Sequence, residues 1–203
     1  SNDKESGWSI IIVADGAGSA KSSRWGSRLA VNASGQHLKE NLFGPFGESI
    51  NQILPNWDND NLNVTKELGT KVHYLFHEAG INAVKVIENE ASLKGVPAKE
   101  YSTTLLAAAV RKIGNSLFIA SFWMGDGAIC VYGPKGKIRL MGTPDSGEFA
   151  GQTRFLDRAA LSDQGFSNRI RIGLYQDIQS VMLMTDGVSD PRFETDNELN
   201  DPN

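Results

Sequence analysis

Three Asp-Gly pairs in this chain follow apolar stretches, and each pair places a carboxylate where a buried strand is expected to end. Asp15 follows WSIIIVA, Asp126 follows SLFIASFWMG, and Asp186 follows SVMLMT. An ionised carboxylate at such a position needs a cation or several hydrogen-bond donors nearby. The following glycine lets the backbone turn sharply and leaves its carbonyl oxygen open to a ligand. Carboxylate and carbonyl oxygens are the ligands that Mg²⁺ and Mn²⁺ prefer, so the pattern indicates a divalent metal site.

The competing interpretation is that these residues only form turns, because Asp-Gly is a common hairpin dipeptide. That interpretation is the better one for any single pair taken alone. For Asp15 and Asp186 we favour the metal site. After Asp15 the chain continues as GAGSAKSSRWGSRLAV, which opens a helix instead of a hairpin. Three acids at strand ends are also less expected by chance than one.

Other ligand sites fit the glycine-rich segment after Asp15 poorly. A dinucleotide fingerprint would need glycine where Lys21 stands, and in a Walker loop Ala20 would not precede Lys21. A calcium loop fails because Ala17 and Ser19 are neither carboxylates nor amides. One cysteine and three scattered histidines argue against zinc.

The elements that must position these acids follow from hydrophobic periodicity. We predict a buried strand over residues 9–14, a helix from Ser22 to about Leu42, and a connector rich in Gly, Pro, Asn and Asp over 43–63. A second helix carries an apolar stripe: Val64, Leu68, Val72, Leu75, Phe76, Ala79, Ala83, Val86 and Ile87.

The second half of the chain is predicted to consist mainly of short strands. They are STTLLAAAV, SLFIASFW, GAICVYG and KIRLM, and SVMLMT follows a polar stretch over 142–177 that lacks strong periodicity. The short links between successive strands require antiparallel pairing. The layout is therefore an antiparallel β domain with two amphipathic helices lying on a sheet.

Composition and charge limit the partners. The chain has 203 residues, a formal net charge of −4 and 40% hydrophobic residues, which fits one globular domain without a basic surface for nucleic acid or acidic lipid. Its single cysteine, Cys130, cannot form an internal disulfide. With no signal-like leader and no long apolar run in the chain, we expect a cytoplasmic protein without membrane or nucleic-acid partners.

Four segments, in order, resemble the metal-dependent Ser/Thr protein phosphatases of the phosphatase 2C type in their bacterial form. VADGAGSAKSSRWGSRLAV is similar to the family's strand, Asp-Gly turn and helix, and YSTTLLAAAV to its Thr-Thr strand. FWMGDGAICVYG resembles its Gly-Asp-Ser hairpin, and SVMLMTDGVSD its strand ending in Asp-Gly. GTPDSGEFAGQTRFL is also similar to the flap region of small bacterial members.

The resemblance implies an α+β fold, a four-layer α-β-β-α sandwich of two antiparallel sheets flanked by helices. It implies two Mn²⁺ or Mg²⁺ ions between the sheets. Asp15 would bridge both ions, the Gly16 carbonyl would bind one and Asp186 the other. Asp126 would help to bind a third, weaker ion. Asp15 and Asp186 would thereby serve catalysis.

The implied function is hydrolysis of phosphoserine and phosphothreonine in proteins by a metal-activated water, without a covalent phosphoenzyme. The partner would be a phosphorylated protein, such as a Ser/Thr kinase or its target. Four arginines near the flap are candidates for phosphopeptide contact, although we expect most of them to be solvated: Arg154, Arg158, Arg169 and Arg171. The alternative is a weak or inactive pseudophosphatase that acts as a phosphoprotein-binding or regulatory module.

The chain departs from the family pattern at several points. Ala17 stands where animal members have a histidine, and Gly127 stands where members have serine, which we expect to cost little. His37, His73 and His77 are predicted to be surface or packing residues. We expect residues 1–203 to form a single domain of this type that is incomplete at one or both ends. The pair at 196–197 is not predicted to be the family's closing Asp-Asn pair.

Overall fold

The computed structural model describes residues 1–57, 62–142, 153–162 and 164–189, without the side chains of residues 62 and 63. Most of the flap-like segment and the pair at 196–197 lie outside these ranges. No helix within them has the length together with the hydrophobicity that a membrane span requires.

The described strands are short and the described helices unequal in length. The strands are β1 (Trp8–Val13), β2 (Leu105–Ile113), β3 (Ser116–Met124), β4 (Ala128–Tyr132), β5 (Ile138–Leu140), β6 (Ile170–Gln176) and β7 (Ser180–Met184). The helices are α1 (Ser23–Leu42), α2 (Pro45–Ile53), α3 (Leu62–Leu93), α4 (Arg158–Ser162) and α5 (Asp186–Ser189).

Two antiparallel sheets organise the molecule. One sheet has the order β1-β2-β3-β6 and the other the order β5-β4-β7. In the first sheet Val13 lies opposite Leu106, and Leu105 lies opposite Met124. The predicted α+β fold of two antiparallel sheets with flanking helices is thus confirmed, and the strands predicted from the apolar runs form with shifts of a few residues at their ends.

Each of the two faces of the four-stranded sheet packs against its own apolar core, because side chains alternate along a strand. Ala107 and Ala109 of β2 face the helices, where they join Ala30 of α1 and Phe76 of α3 in the larger core. Leu106 faces the other way, into a smaller core with residues of β3 and β4. The described residues supply three layers: helices, four-stranded sheet and three-stranded sheet.

Two sequence predictions are wrong. The stretch 43–63 is not a plain connector, because it contains α2, which starts at Pro45 and buries Ile50. Proline suits the first helical turn, where an N–H has no intrahelical acceptor. The stretch 142–177 contains β6, an edge strand whose alternation is visible in the letters IRIGLYQ. Glycine and proline in the first stretch, and arginines in the second, masked these apolar patterns.

The second predicted helix forms as α3, and most of its apolar stripe is buried, including Leu68, Phe76 and Ala83. Val64 is half-buried, and Val86 is 38% exposed while its neighbour Ile87 is buried. The predicted packing role of the histidines agrees with their contacts. His37 contacts the side-chain amide of Asn82, and His73 stacks on His77.

Acidification should destabilise this helical layer. Burial lowers the pKa of His73, and the charge of His77 lowers it further, while Phe166 packs edge-on against the His73 ring. Because the unfolded chain then binds this proton more tightly than the folded chain, stability is full above the ordinary histidine pKa of 6.5 and falls as the pH drops below it.

We therefore expect the thermal midpoint to fall between about pH 7.5 and about pH 5.5. The fall should be smaller in His73→Leu, which has no proton to gain at this position. Calorimetry of both proteins at both pH values measures the difference. An equal fall in both would show that His73 does not contribute.

Candidate metal centre

The backbone of Asp15 is held by the two threonines that precede β2. The N–H of Thr104 donates a hydrogen bond of 2.8 Å to the Asp15 carbonyl oxygen, and the Thr103 hydroxyl donates another of 2.8 Å to the same atom. The Asp15 N–H donates to the Thr104 hydroxyl over 2.9 Å. Both threonines are buried. The main chain of Asp15 is therefore fixed while its carboxylate stays half-buried at the end of β1.

Gly16 allows the chain to pass close to the start of α1. Its N–H donates to Oδ1 of Asp15 over 2.8 Å, and it forms an antiparallel bridge with Thr103. A Cβ on Gly16 would lie 2.6 Å from the carbonyl carbon of Ser23, so a side chain cannot fit here. Among the hydrogen bonds of the described residues, none uses the Gly16 carbonyl oxygen. That oxygen is available to a ligand.

Asp186 comes from the other sheet. It starts the short helix α5, one residue after Thr185, which follows β7. Its Oδ1 accepts a hydrogen bond of 2.8 Å from the N–H of Gly187. The Thr185 carbonyl oxygen accepts the N–H groups of Val188 and Ser189, which closes the turn behind the acid. The Asp-Gly pair thus forms a helix start instead of a hairpin.

The structure brings the carboxyl groups of Asp15 and Asp186 together. Burial raises the pKa of Asp186, and a hydrogen bond to Asp15 and the negative charge of Asp15 raise it further, while the Gly187 N–H acts in the opposite direction. A pair of neighbouring carboxyl groups is a favourable place for a divalent cation, which offsets their negative charge. The oxygen donors present therefore fit Mg²⁺ or Mn²⁺.

Asp126 has contacts of its own with the segments on either side of it in the fold. It follows Gly125, whose φ is 122° and whose Cβ would lie 2.5 Å from the Thr104 side chain. The Thr153 hydroxyl donates a hydrogen bond to Oδ2 of Asp126. The described ranges contain no group of three or more His, Cys, Asp or Glu side chains that could hold a metal. The metal-binding roles of Asp15, Gly16, Asp126 and Asp186 remain predictions.

The residues that support these acids were not predicted from the sequence. Thr103 and Thr104 entered the prediction only as part of a motif, and Thr153 was not singled out. Gly127 has a structural function of its own, because a Cβ at this position would lie 2.5 Å from the Met184 carbonyl oxygen of β7. The absence of a side chain here lets the end of β7, and with it Asp186, approach β4.

Of the four arginines near the flap, Arg158 and Arg171 are exposed, Arg154 is half-buried and Arg169 is buried. Arg169 is 8% exposed and donates to the Gly165 carbonyl oxygen over 3.2 Å. Arg158 pairs with Glu88 at 2.5 Å, and the guanidinium of Arg171 lies 5.4 Å from the centre of the Trp123 ring. These three side chains have contacts within the protein.

The sequence profile of one known family matches this chain. The profile of the family described as Protein phosphatase 2C matches residues 1–202. No curated protein matches the chain. Among solved structures the chain is similar to PppA, a key regulatory component of T6SS in Pseudomonas aeruginosa, with 16% identity and a TM-score of 0.44 over 98% of this chain and 74% of that one.

Two further structures are similar to this chain. Serine-threonine phosphatase 2C from Toxoplasma gondii has 12% identity and a TM-score of 0.49, over 90% of this chain and 69% of that one. Another is the catalytic domain of the serine/threonine protein phosphatase PstP, solved in complex with two manganese ions. It has 15% identity and a TM-score of 0.45, over 94% of this chain and 72% of that one. With identities this low, family membership rests on the sequence profile.

Replacement of Asp186 by asparagine tests the charge repulsion at the centre. In EDTA, Asp186→Asn should raise the thermal midpoint above that of the wild type at neutral pH, because asparagine does not repel Asp15. Added Mn²⁺ should raise the midpoint of the wild type and have little effect on the variant. A variant that melts lower in EDTA, or gains as much from Mn²⁺, would contradict this account.

Replacement of Gly127 by serine tests whether β7 lies too close to residue 127 to leave room for a side chain. Gly127→Ser should destabilise the fold by about 1–3 kcal/mol, the usual cost of overpacking. Gly69→Ser in α3 is the matched control, because a Cβ there meets nothing within 4 Å. Urea unfolding measures both variants. Equal stability of the two would overturn the assignment of a steric role to Gly127.

Proposed function

The chain belongs to the protein phosphatase 2C family, and we propose that it is a metal-dependent phosphatase that hydrolyses phosphoserine and phosphothreonine residues in proteins. One observation carries the proposal beyond family membership. The carboxyl groups of Asp15 and Asp186, which belong to different sheets, meet closely enough to perturb one another. Such an arrangement disfavours the metal-free, fully ionised state and favours a bound cation.

The proposed metal ligands are hard oxygen donors. Asp15 and Asp186 would hold two Mn²⁺ or Mg²⁺ ions together with the Gly16 carbonyl oxygen. Two such ions supply, when bound, a water of lowered pKa and positive charge opposite the phosphoryl oxygens. Thr103 and Thr104 hold the Asp15 backbone in place through hydrogen bonds of 2.8–2.9 Å. They are positioning residues for Asp15.

Asp126 is proposed to help bind a third, weaker ion. Its carboxylate accepts a hydrogen bond from Thr153, which itself lines a surface cavity of about 440 Å³ with Lys99 and Arg154. A cation at Asp126 would therefore lie beside Thr153, at the C-terminal end of the flap-like segment. We propose a phosphorylated protein as the substrate, such as a Ser/Thr kinase or one of its targets.

A second candidate is a pseudophosphatase that binds phosphoproteins without hydrolysing them. The observation in its favour is the small number of acids at the centre. The described residues bring together one pair of carboxyl groups and no larger group of metal-ligating side chains. A protein of this kind would bind Mn²⁺ and a phosphopeptide but release no phosphate.

Hydrolysis of p-nitrophenyl phosphate and of a phosphothreonine peptide with Mn²⁺ tests the proposal. The wild type should be active with Mn²⁺ and inactive in EDTA. Asp15→Asn should lower kcat/KM by about 100-fold or more, the scale seen when one electrostatic contribution to the transition state is removed. Phosphate release measures the reaction.

Asp177→Asn is the matched control for the charge change. Asp177 is exposed, lies between β6 and β7, and has a φ of 55°, which asparagine tolerates. This variant should keep the wild-type activity. No turnover in a folded wild type that binds Mn²⁺ would favour the pseudophosphatase, and equal turnover in Asp15→Asn would exclude Asp15 from catalysis.

A further inference from the structure

An exposed patch of one aromatic and two basic side chains lies at the start of α1. Trp25 is 58% exposed, and the guanidinium of Arg28 lies 5.3 Å from the centre of its ring. Arg24, Trp25 and Arg28 together line a surface cavity of about 370 Å³. We call these three residues the Trp25 patch.

Packing of the fold does not account for this patch. The buried face of α1 is built from Gly26, Ala30 and Ser34, and a Cβ on Gly26 would lie 1.9 Å from the Tyr101 carbonyl oxygen. Trp25 and Arg28 lie on the exposed face of the same helix. In the described part of the chain, no carboxylate forms an ion pair with Arg24 or Arg28. A large indole and two unpaired guanidiniums thus lie in solvent.

The local charge is opposite to that of the whole protein. The chain carries a net charge of −4, yet residues 16–39 contain no acid. One acid approaches from elsewhere, since Glu100 accepts a hydrogen bond from the backbone N–H of Lys21 over 3.3 Å. We therefore leave Lys21 out of the patch. Arg24 and Arg28 form a positive surface that would attract an acidic ligand.

The Trp25 patch lies next to the candidate metal centre. Gly16, directly after Asp15, approaches Ser23 so closely that a Cβ would lie 2.6 Å from the Ser23 carbonyl carbon. Ser23 is followed directly by Arg24 and Trp25. A polypeptide whose phosphorylated residue reaches Asp15 therefore places its neighbouring residues within reach of this surface.

The chemistry of the Trp25 patch matches an acidic peptide segment. Guanidinium groups bind carboxylates and phosphates through paired N–H groups. Stacking on an indole limits the orientations of the guanidinium before a ligand binds. Trp and Arg, together with Tyr, are enriched among the residues that contribute most of the binding energy at protein interfaces. We propose that the Trp25 patch docks acidic residues flanking the phosphorylated residue of the substrate. This inference rests on the proposed phosphatase function.

Two phosphothreonine peptides test the inference, one with Asp and Glu around the phosphorylated residue and one with Asn and Gln at the same positions. The wild type should show a kcat/KM about tenfold higher for the acidic peptide. In the double variant Arg24→Gln, Arg28→Gln the ratio should fall to about one, because the charge attraction is lost. Trp25→Ala should lower the ratio as well.

Arg139→Gln is the matched control, because Arg139 is an exposed arginine of β5 in the three-stranded sheet and is not part of the Trp25 patch. This variant should keep the wild-type ratio. The inference would be overturned if the wild type did not prefer the acidic peptide, or if the double variant kept the wild-type ratio of kcat/KM values for the two peptides.

The phosphatase proposal and the docking proposal can fail independently, and the experiment distinguishes the two failures. If neither peptide nor p-nitrophenyl phosphate is hydrolysed, the phosphatase proposal fails, and fluorescence anisotropy then measures the dissociation constants of both peptides. Tighter binding of the acidic peptide that depends on Arg24 and Arg28 would support the docking surface in the absence of turnover. Equal binding of the two peptides would refute it.

Discussion

The close approach of two like-charged side chains, Asp15 and Asp186, is the constraint on which the rest of the site depends. Asp15 follows β1 of one sheet and Asp186 follows β7 of the other. Burial, a hydrogen bond to Asp15 and the negative charge of Asp15 raise the pKa of Asp186. Such a pair is costly to bury in its ionised form unless a cation accompanies it. The two-sheet architecture is consistent with this pairing, because Val13 at the end of β1 and Leu183 near the end of β7 both pack against the small core between the sheets.

Local structure around the pair is consistent with this constraint. Thr103 and Thr104 fix the backbone of Asp15 from β2, so the carboxylate cannot relax away from Asp186 by moving its main chain. Gly16 and Gly127 have no side chain at two places where backbones approach closely, near Ser23 and Met184. Threonine hydroxyls and missing Cβ atoms thus keep the acids in position without adding charge.

Much of the fold and the acids themselves could be predicted from sequence, because the relevant signals are local. The run WSIIIVADG indicates a strand and the acid at its end, and the spacing of apolar residues marks α1 and α3. Helix α2 and strand β6 were missed because glycine, proline or arginine interrupted short apolar patterns. The threonine contacts to Asp15 span 88 and 89 positions in sequence, so only the folded chain brings them together. The steric role of Gly127 has the same origin.

We propose that Asp15 and Asp186 hold a divalent cation between them. Crystals grown with Mn²⁺ and measured at a wavelength where manganese scatters anomalously test it most directly. We expect an anomalous peak in contact with carboxylate oxygens of both Asp15 and Asp186, and we expect this peak to be lost in crystals of Asp15→Asn. Well-ordered carboxylates without a peak between them, or manganese bound only at other residues, would contradict it.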